Sequence, residues 1–260
     1  MTYRVAIIGL GRVAWRGWGV SGLETHADGV HSCPNTWLST ACDADEGVRA
    51  EFSGEYPGVP VVREAQIAAE HADIVSICTP ADTHAAIIEQ IVEVPTVKAI
   101  ICEKPLGTTV AEAERIVKLC RNRVLIVGHQ RRYETAHRAI QRFVDGGALG
   151  HILAAKAWFS GGYLNNGTHA ADICRFLVGD SIPWSIEQRE EDGFGVMVAG
   201  ENGNVFLSSY GRLKPGYMTA MYADAVGCIK DIGRVPQCSG DDGVEAVRHA
   251  LFAEERDAGI

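Results

Sequence analysis

Much of what would point to other kinds of protein is missing from this sequence. Positive charge is not in excess: 24 lysines and arginines stand against 33 aspartates and glutamates, a formal net charge of −9. Binding a nucleic acid requires a concentrated basic surface, so no nucleic-acid partner is expected and a small-molecule ligand fits better. No uninterrupted apolar run approaches the roughly 20 residues of a membrane span. The opening residues MTYRVAIIGLG carry neither the long apolar region nor the cleavage site of a secretory signal. No membrane association is therefore expected, and the expected location is the cytoplasm. The eight cysteines are scattered, with no CxxC pair and no histidines at metal-ligand spacing, so no metal is expected and they read as reduced, apolar core residues. Internal repeats and low-complexity tracts are absent as well.

What is present is the composition of an ordinary globular protein, 47% hydrophobic and 22% charged over 260 residues. That length exceeds one usual core and accommodates two domains of roughly 100 to 150 residues. Up to residue 127 the segments YRVAIIGL, TWLSTACD, ADIVSICTP, VKAIICEKP and RVLIVGH read as strands buried on both faces. Between them EGVRAEF, HAAIIEQIVE and VAEAERIVKLC carry apolar residues at helical spacing, the alternation of an α/β domain with a doubly wound parallel sheet. The texture changes after residue 128: a helix (ETAHRAIQRFVDGG), a run HILAAKAWFS, and alternating segments around FGVMVA and NVFLSSY, with Asn202-Gly203 as a hairpin signal. Two more helical patterns, about 218–232 and 241–256, close the chain. The expected division is therefore 1–127 and 128–260, the second part a smaller α+β domain with a mainly antiparallel open sheet and helices on one side.

The first strand runs into Gly9-Leu10-Gly11-Arg12-Val13-Ala14, which matches the GxGxx(G/A) dinucleotide turn of a Rossmann domain. Gly9 permits the tight turn, Gly11 lets the backbone approach a pyrophosphate, and Ala14 lets the following helix pack closely with its positive end toward the phosphates. Arg12 and Val13 lie on the same turn. Asp43 ends the second strand, where a carboxylate accepts hydrogen bonds from ribose hydroxyls and repels a 2′-phosphate; this favours NAD, with NADP the less favoured cofactor. The spacing from the glycines to Asp43 exceeds the usual twenty or so residues, and WRGWGVSGLETHADGVHSCPN reads as holding an insertion, either a surface loop or a lid.

Three further motifs carry a resemblance: Cys78-Thr79-Pro80 with His84, Glu103-Lys104-Pro105, and Gly167-Thr168-His169 with Asp172. In these the chain resembles the Gfo/Idh/MocA family of glucose-fructose oxidoreductase and inositol dehydrogenase relatives, almost end to end. The resemblance implies cofactor contacts from Thr79, Pro80, His84, Glu103 and Gln130 as well as the glycine turn. It implies Lys104 beside the nicotinamide and substrate hydroxyl, and His169 as the base that takes the hydroxyl proton. The family's usual acid four residues earlier is here Asn165, which can orient a hydroxyl but cannot take its proton. An asparagine at this place resembles the version in nucleotide-sugar 3-dehydrogenases of the family, which act in surface-polysaccharide pathways. In the segment Gly128-His129-Gln130-Arg131-Arg132-Tyr133 the resemblance offers Arg132 as a substrate contact, against the alternative of a structural salt bridge. Lys104 at the carboxyl edge of a sheet, and His169 in the first turn of a helix that favours its neutral form, agree with these roles on physical grounds.

The implied activity is NAD-dependent hydride transfer at a secondary hydroxyl of a polyhydroxylated substrate: a sugar, sugar acid or nucleotide sugar. Lys104, Asn165 and His169 are the implied catalytic and substrate groups. A redox-neutral or reductase relative with tightly held NAD, and a non-catalytic NAD-binding regulator or scaffold, remain open. The family's habit implies a homo-oligomer, a dimer or tetramer, although the second domain is short for that family.

Overall fold

The computed structural model describes residues 1–17, 23–191, 193–209 and 213–259. Six parallel strands form the first sheet: β1 (Tyr3–Ile8), β2 (Thr36–Cys42), β3 (Val61–Val62), β4 (Ile74–Ile77), β5 (Ala99–Cys102) and β6 (Val124–Val127), in the order β3-β2-β1-β4-β5-β6. The strand order reverses between β1 and β4, and open α/β sheets bind ligands at the carboxyl ends of strands flanking such a switch point. The connecting helices are α1 (His26–Ser32), α2 (Glu46–Glu55), α3 (Ala65–Glu70), α4 (His84–Ile91) and α5 (Val110–Leu119). β1, β4 and β5 are apolar and almost wholly buried, as expected where helices cover both faces.

After α6 (Thr135–Asp145) come β7 (Ile152–Phe159), α7 (Thr168–Val178), β8 (Trp184–Gln188), β9 (Phe194–Gly200) and β10 (Gly203–Ser209). Their sheet has the order β10-β9-β7-β8, antiparallel except for the β7/β8 pair. The Asn202-Gly203 hairpin lies where expected, with Gly203 opposite Gly200. In β7 the residues Ala155, Ala157 and Phe159 are buried, and with Val196 and Val198 of β9 they form a second core under α7. The other face is open, with Leu153 52% and Phe206 70% exposed.

The last two helices, α8 (Tyr217–Lys230) and α9 (Gly240–Ala258), correct the expected division at 127/128. Met218, Met221, Tyr222, Ala225 and Val226 of α8, and Val244 and Val247 of α9, are buried in the same core as β1, β4, β5 and β6. Only farther along, at Ala253, does α9 join the second core. The reason is the apolar face of each helix, which the first sheet buries and the four-stranded sheet leaves uncovered. Contact of α8 with α1 is intimate: a Cβ on Gly29 would lie 2.7 Å from Cβ of Met218 and 2.9 Å from the Tyr222 ring. Gly29→Val is expected to lower stability by about 2 kcal/mol or more, because overpacking here meets helix backbone and a buried ring; urea unfolding checks it.

Candidate active site

At the end of β1, Gly9 has φ +86°, and a Cβ there would stand 2.6 Å from Thr79 Cγ2 and 2.8 Å from Thr79 N. Glycine is thus required on both counts. A Cβ on Gly11, by contrast, would meet nothing within 4 Å, leaving open room above the backbone. The regular helix expected after the turn does not form. Arg12–Arg16 make a single π turn closed at Gly17, and the next helix among the described residues begins at His26, capped by Thr25 and Asp28 in a capping box. Residues 18–22 of the insertion lie outside the described residues. Ala14 is fully buried against Ile7, Leu10 and Phe52, Val13 packs beside them, and Arg12 is exposed.

Asp43 braces this turn: Oδ2 accepts from Leu10 N at 2.8 Å and Oδ1 from Asp45 N at 2.9 Å. Each carboxylate oxygen can accept a second hydrogen bond. A cavity of about 670 Å³ opens here, lined among others by Gly11, Asp43, Ala44, Arg63, Thr79 and Pro80. These residues fit a dinucleotide: the glycines leave room for phosphates and the carboxylate stands at the rim for a ribose.

His84 does not line that cavity. Fully buried, it holds Nε2 3.0 Å from Thr79 O and Nδ1 3.2 Å from Leu106 O. It ties the loop after β4 to the loop after β5, so the expected cofactor contact becomes a clamp behind the wall. Glu103 is likewise turned inward. Its Oε1 lies 3.0 Å from His26 Nε2 and accepts from Gln130 Nε2 at 3.2 Å. Burial alone would raise the Glu103 carboxyl, but the hydrogen bond and charge of His26, with Lys104 and His84, outweigh it and hold the group below its ordinary value. His26 Nδ1 in turn sits 2.9 Å from Tyr222 OH, which shares a 2.7 Å hydrogen bond with Ser76 Oγ. Nothing in the sequence signals this chain, because its members are up to 196 residues apart.

Lys104, joined to Pro105 by a cis peptide, ends the β5 segment. Its Nζ donates to Oδ1 of Asn165 and, at 3.2 Å, to the Asn165 carbonyl. Asn165 stands on the turn Tyr163–Gly167 that leads into α7, so the two halves of the chain meet at this pair. Burial pushes the Lys104 ammonium below its ordinary value; Glu103 opposes the shift and Arg131 adds to it. His169 follows in the first turn of α7, 7% exposed. Burial, then the charges of Lys104 and Arg131, then His129 and His137, hold its imidazole well below the ordinary range and therefore neutral. Its Nδ1 lies 3.5 Å from Nδ1 of His129, a residue to which sequence reasoning gave no role.

Arg132 is corrected from substrate contact to structural ion pair. It is 5% exposed, and its guanidinium bonds Asp172 at 2.8 Å, Asp242 at 3.0 Å and the Gln237 carbonyl at 2.9 Å. The neighbouring Arg131 is the arginine near the site. It lies over the Phe194 ring at 3.5 Å, and burial pushes it down to about 10. A 3-10 turn over Gln130–Tyr133 sends adjacent side chains in different directions, which sequence alone does not resolve. Among the described residues no cluster of three metal-ligating side chains occurs.

Residues 3–130 match the sequence profile of the Gfo/Idh/MocA oxidoreductase family, described as having an NAD-binding Rossmann fold. An inositol 2-dehydrogenase of Rhizobium meliloti (strain 1021) is 30% identical over 200 residues, covering 69% of this chain and 56% of that protein. The chain belongs to the Gfo/Idh/MocA oxidoreductase family. A second relative, the D-apiose dehydrogenase of Paraburkholderia graminis, is 34% identical over 161 residues, 54% of this chain and 42% of the relative. This Gfo/Idh/MocA protein thus spans about half the length of the curated relatives it matches. Its fold is also that of the crystal structure of myo-inositol 2-dehydrogenase from Lactobacillus plantarum, with a TM-score of 0.81 at 19% identity, covering 100% of this chain and 98% of the other.

Proposed function

We propose that this protein is an NAD-dependent dehydrogenase acting on a secondary hydroxyl of a polyol or sugar, with Lys104, Asn165 and His169 around the reacting carbon. The observation that carries the reading is the meeting of a Lys104 ammonium, fixed by Asn165, with a histidine held neutral beside it. The dinucleotide, when bound, supplies the hydride acceptor. Lys104 orients and polarises the substrate oxygen, His169 takes the hydroxyl proton, and Asn165 holds Lys104 in place without itself accepting a proton. Gly9, Gly11, Asp43, Thr79 and Pro80 hold the dinucleotide. A sugar acid or nucleotide sugar as substrate, a place in surface-polysaccharide synthesis, and hydride retention between turnovers are finer forms of the same reading. The open outer face of the second sheet, with Leu153 and Phe206 exposed, suits a homo-oligomer. No helix among the described residues is long and apolar enough to cross a membrane; a cytoplasmic location is part of the same proposal.

The test is to denature the purified protein, identify any released nucleotide, then titrate the stripped protein with NADH and assay NAD reduction with myo-inositol, D-apiose and related polyols. Binding of NADH with turnover of a polyol supports the reading. Tight NADH binding without turnover of any substrate supports the scaffold alternative, and absence of NAD(H) and NADP(H) binding overturns both.

Preference for NAD rests on Asp43. Arg49 donates from Nη1 to the carbonyls of Asp43 and Ala44, both at 2.9 Å, and so is spent on the loop. Asp43→Asn keeps an acceptor for Leu10 N while removing the charge, and is expected to narrow the ratio of NAD to NADP affinity by about 10-fold. Parallel fluorescence titrations with NADH and NADPH measure it.

A further inference from the structure

We propose that His129 is a positioning residue that sets the tautomer of His169, accepting on its Nδ1 the proton carried by Nδ1 of His169 and so presenting the His169 lone pair on Nε2. The inference rests on the dehydrogenase reading for its consequence, but not for its geometry. The two Nδ1 atoms lie 3.5 Å apart, with the rings at 80° and their centroids at 5.3 Å. Both rings are buried, His129 completely. Two neutral imidazoles meeting through their Nδ1 atoms place a single proton between them, so the tautomer of one dictates that of the other.

The surroundings choose which ring donates. The charged groups acting on His169 are cations, Lys104 and Arg131, with the imidazoles of His129 and His137 beside them. His129 faces the carboxylates of Asp172 and Glu103 as well as the cations Arg132 and Lys104. The cations near His169 together with the carboxylates near His129 favour a proton held in the contact between the two Nδ1 atoms over one on the other nitrogen of His169. Among the described residues no protein group bonds Nε2 of His129, and the role proposed for His129 is to orient the base. When the substrate hydroxyl gives its proton to Nε2 of His169, the hydride leaves the same carbon with its electron pair for the dinucleotide, and the carbonyl forms. His169 is then an imidazolium whose Nδ1–H remains bonded to the His129 lone pair. In this way His129 supplies an acceptor behind the base without adding a buried negative charge.

The experiment uses full-length protein with 15N-labelled histidine, native and as His129→Phe and His129→Gln, with His169→Asn to assign the resonance. The expected result is an Nδ1–H tautomer for His169 in the native protein, its loss or mixing with the Nε2–H form in His129→Phe, and its retention in His129→Gln, whose amide oxygen can accept. Where a polyol is turned over, kcat for its oxidation falls about 10- to 100-fold in His129→Phe with KM nearly unchanged, and His129→Gln recovers most of the loss. An unchanged His169 tautomer in His129→Phe, or a His129→Gln variant as impaired as His129→Phe, overturns the proposal. If the phenylalanine variant fails to bind NADH or to fold, His129→Met supplies the same contrast with glutamine. Tautomer control without any polyol turnover sinks the dehydrogenase reading and leaves the positioning role standing; turnover with an indifferent tautomer does the reverse.

Discussion

Lys104→Met is expected to lower kcat/KM for polyol oxidation by about 1,000-fold while NADH affinity changes less than about 3-fold. The size follows from what is removed. Lys104 is the charged donor at the carboxyl end of β5, anchored to Asn165 through two hydrogen bonds, and loss of one preorganised donor at a reacting oxygen typically costs 100- to 1,000-fold. Methionine keeps most of the stem, so the packing around Pro105 survives. Arginine is not expected to rescue, since its planar fork cannot replace a compact ammonium held by one amide. The pH profile of the native enzyme gives a second check. Because His169 is held well below the ordinary histidine range, the unprotonated base persists as pH falls through that range, and oxidation stays level there instead of declining. Because Lys104 is lowered from 10.5, the alkaline limb falls at a lower pH than a free lysine would give. A decline at the ordinary histidine pKa that vanishes in His169→Asn would contradict the assignment.

Asp172→Ala is expected to destabilise the fold by about 3–5 kcal/mol, the usual result of stripping one partner from a buried ion pair. Asp172 is 1% exposed and faces Arg132 at 2.8 Å. Asp242, which also reaches Arg132, is 23% exposed at its side chain and serves as the N3 residue in the capping box of α9. It cannot neutralise the guanidinium alone at the α7 side. Arg132→Met combined with Asp172→Leu should recover part of the loss, because no uncompensated charge is then left inside. Urea unfolding of the two variants distinguishes a lost packing contact, which the double substitution would not restore, from a stranded charge, which it would.

The strands of the first sheet were legible because each is a short β-branched run between turn signals, and β1, β2, β4, β5 and β6 all fall within the segments read from sequence. β3 is only two residues long, too short to show a period. The Lys104, Asn165 and His169 cluster was visible through motif resemblance, yet its supports were not. His26, Tyr222 and His129 act by meeting residues 40 to 196 positions away, and sequence spacing carries no trace of such contacts. The glycine turn was found, but the helix expected after it starts as a π turn over Arg12–Arg16, an irregularity of the backbone that apolar spacing does not report. For α8 and α9 the helical period was correct, but a period states that one face is buried without stating against which sheet.

That last point has a consequence for how the molecule comes into being. The part of the first sheet around Ser76 of β4 is completed by Met218, Met221 and Tyr222, residues translated nearly a hundred positions after β6 ends at Val127. The side chains that cover this part of the first sheet are therefore supplied only once the second half has been made, and the first domain to begin is among the last parts of the chain to be completed.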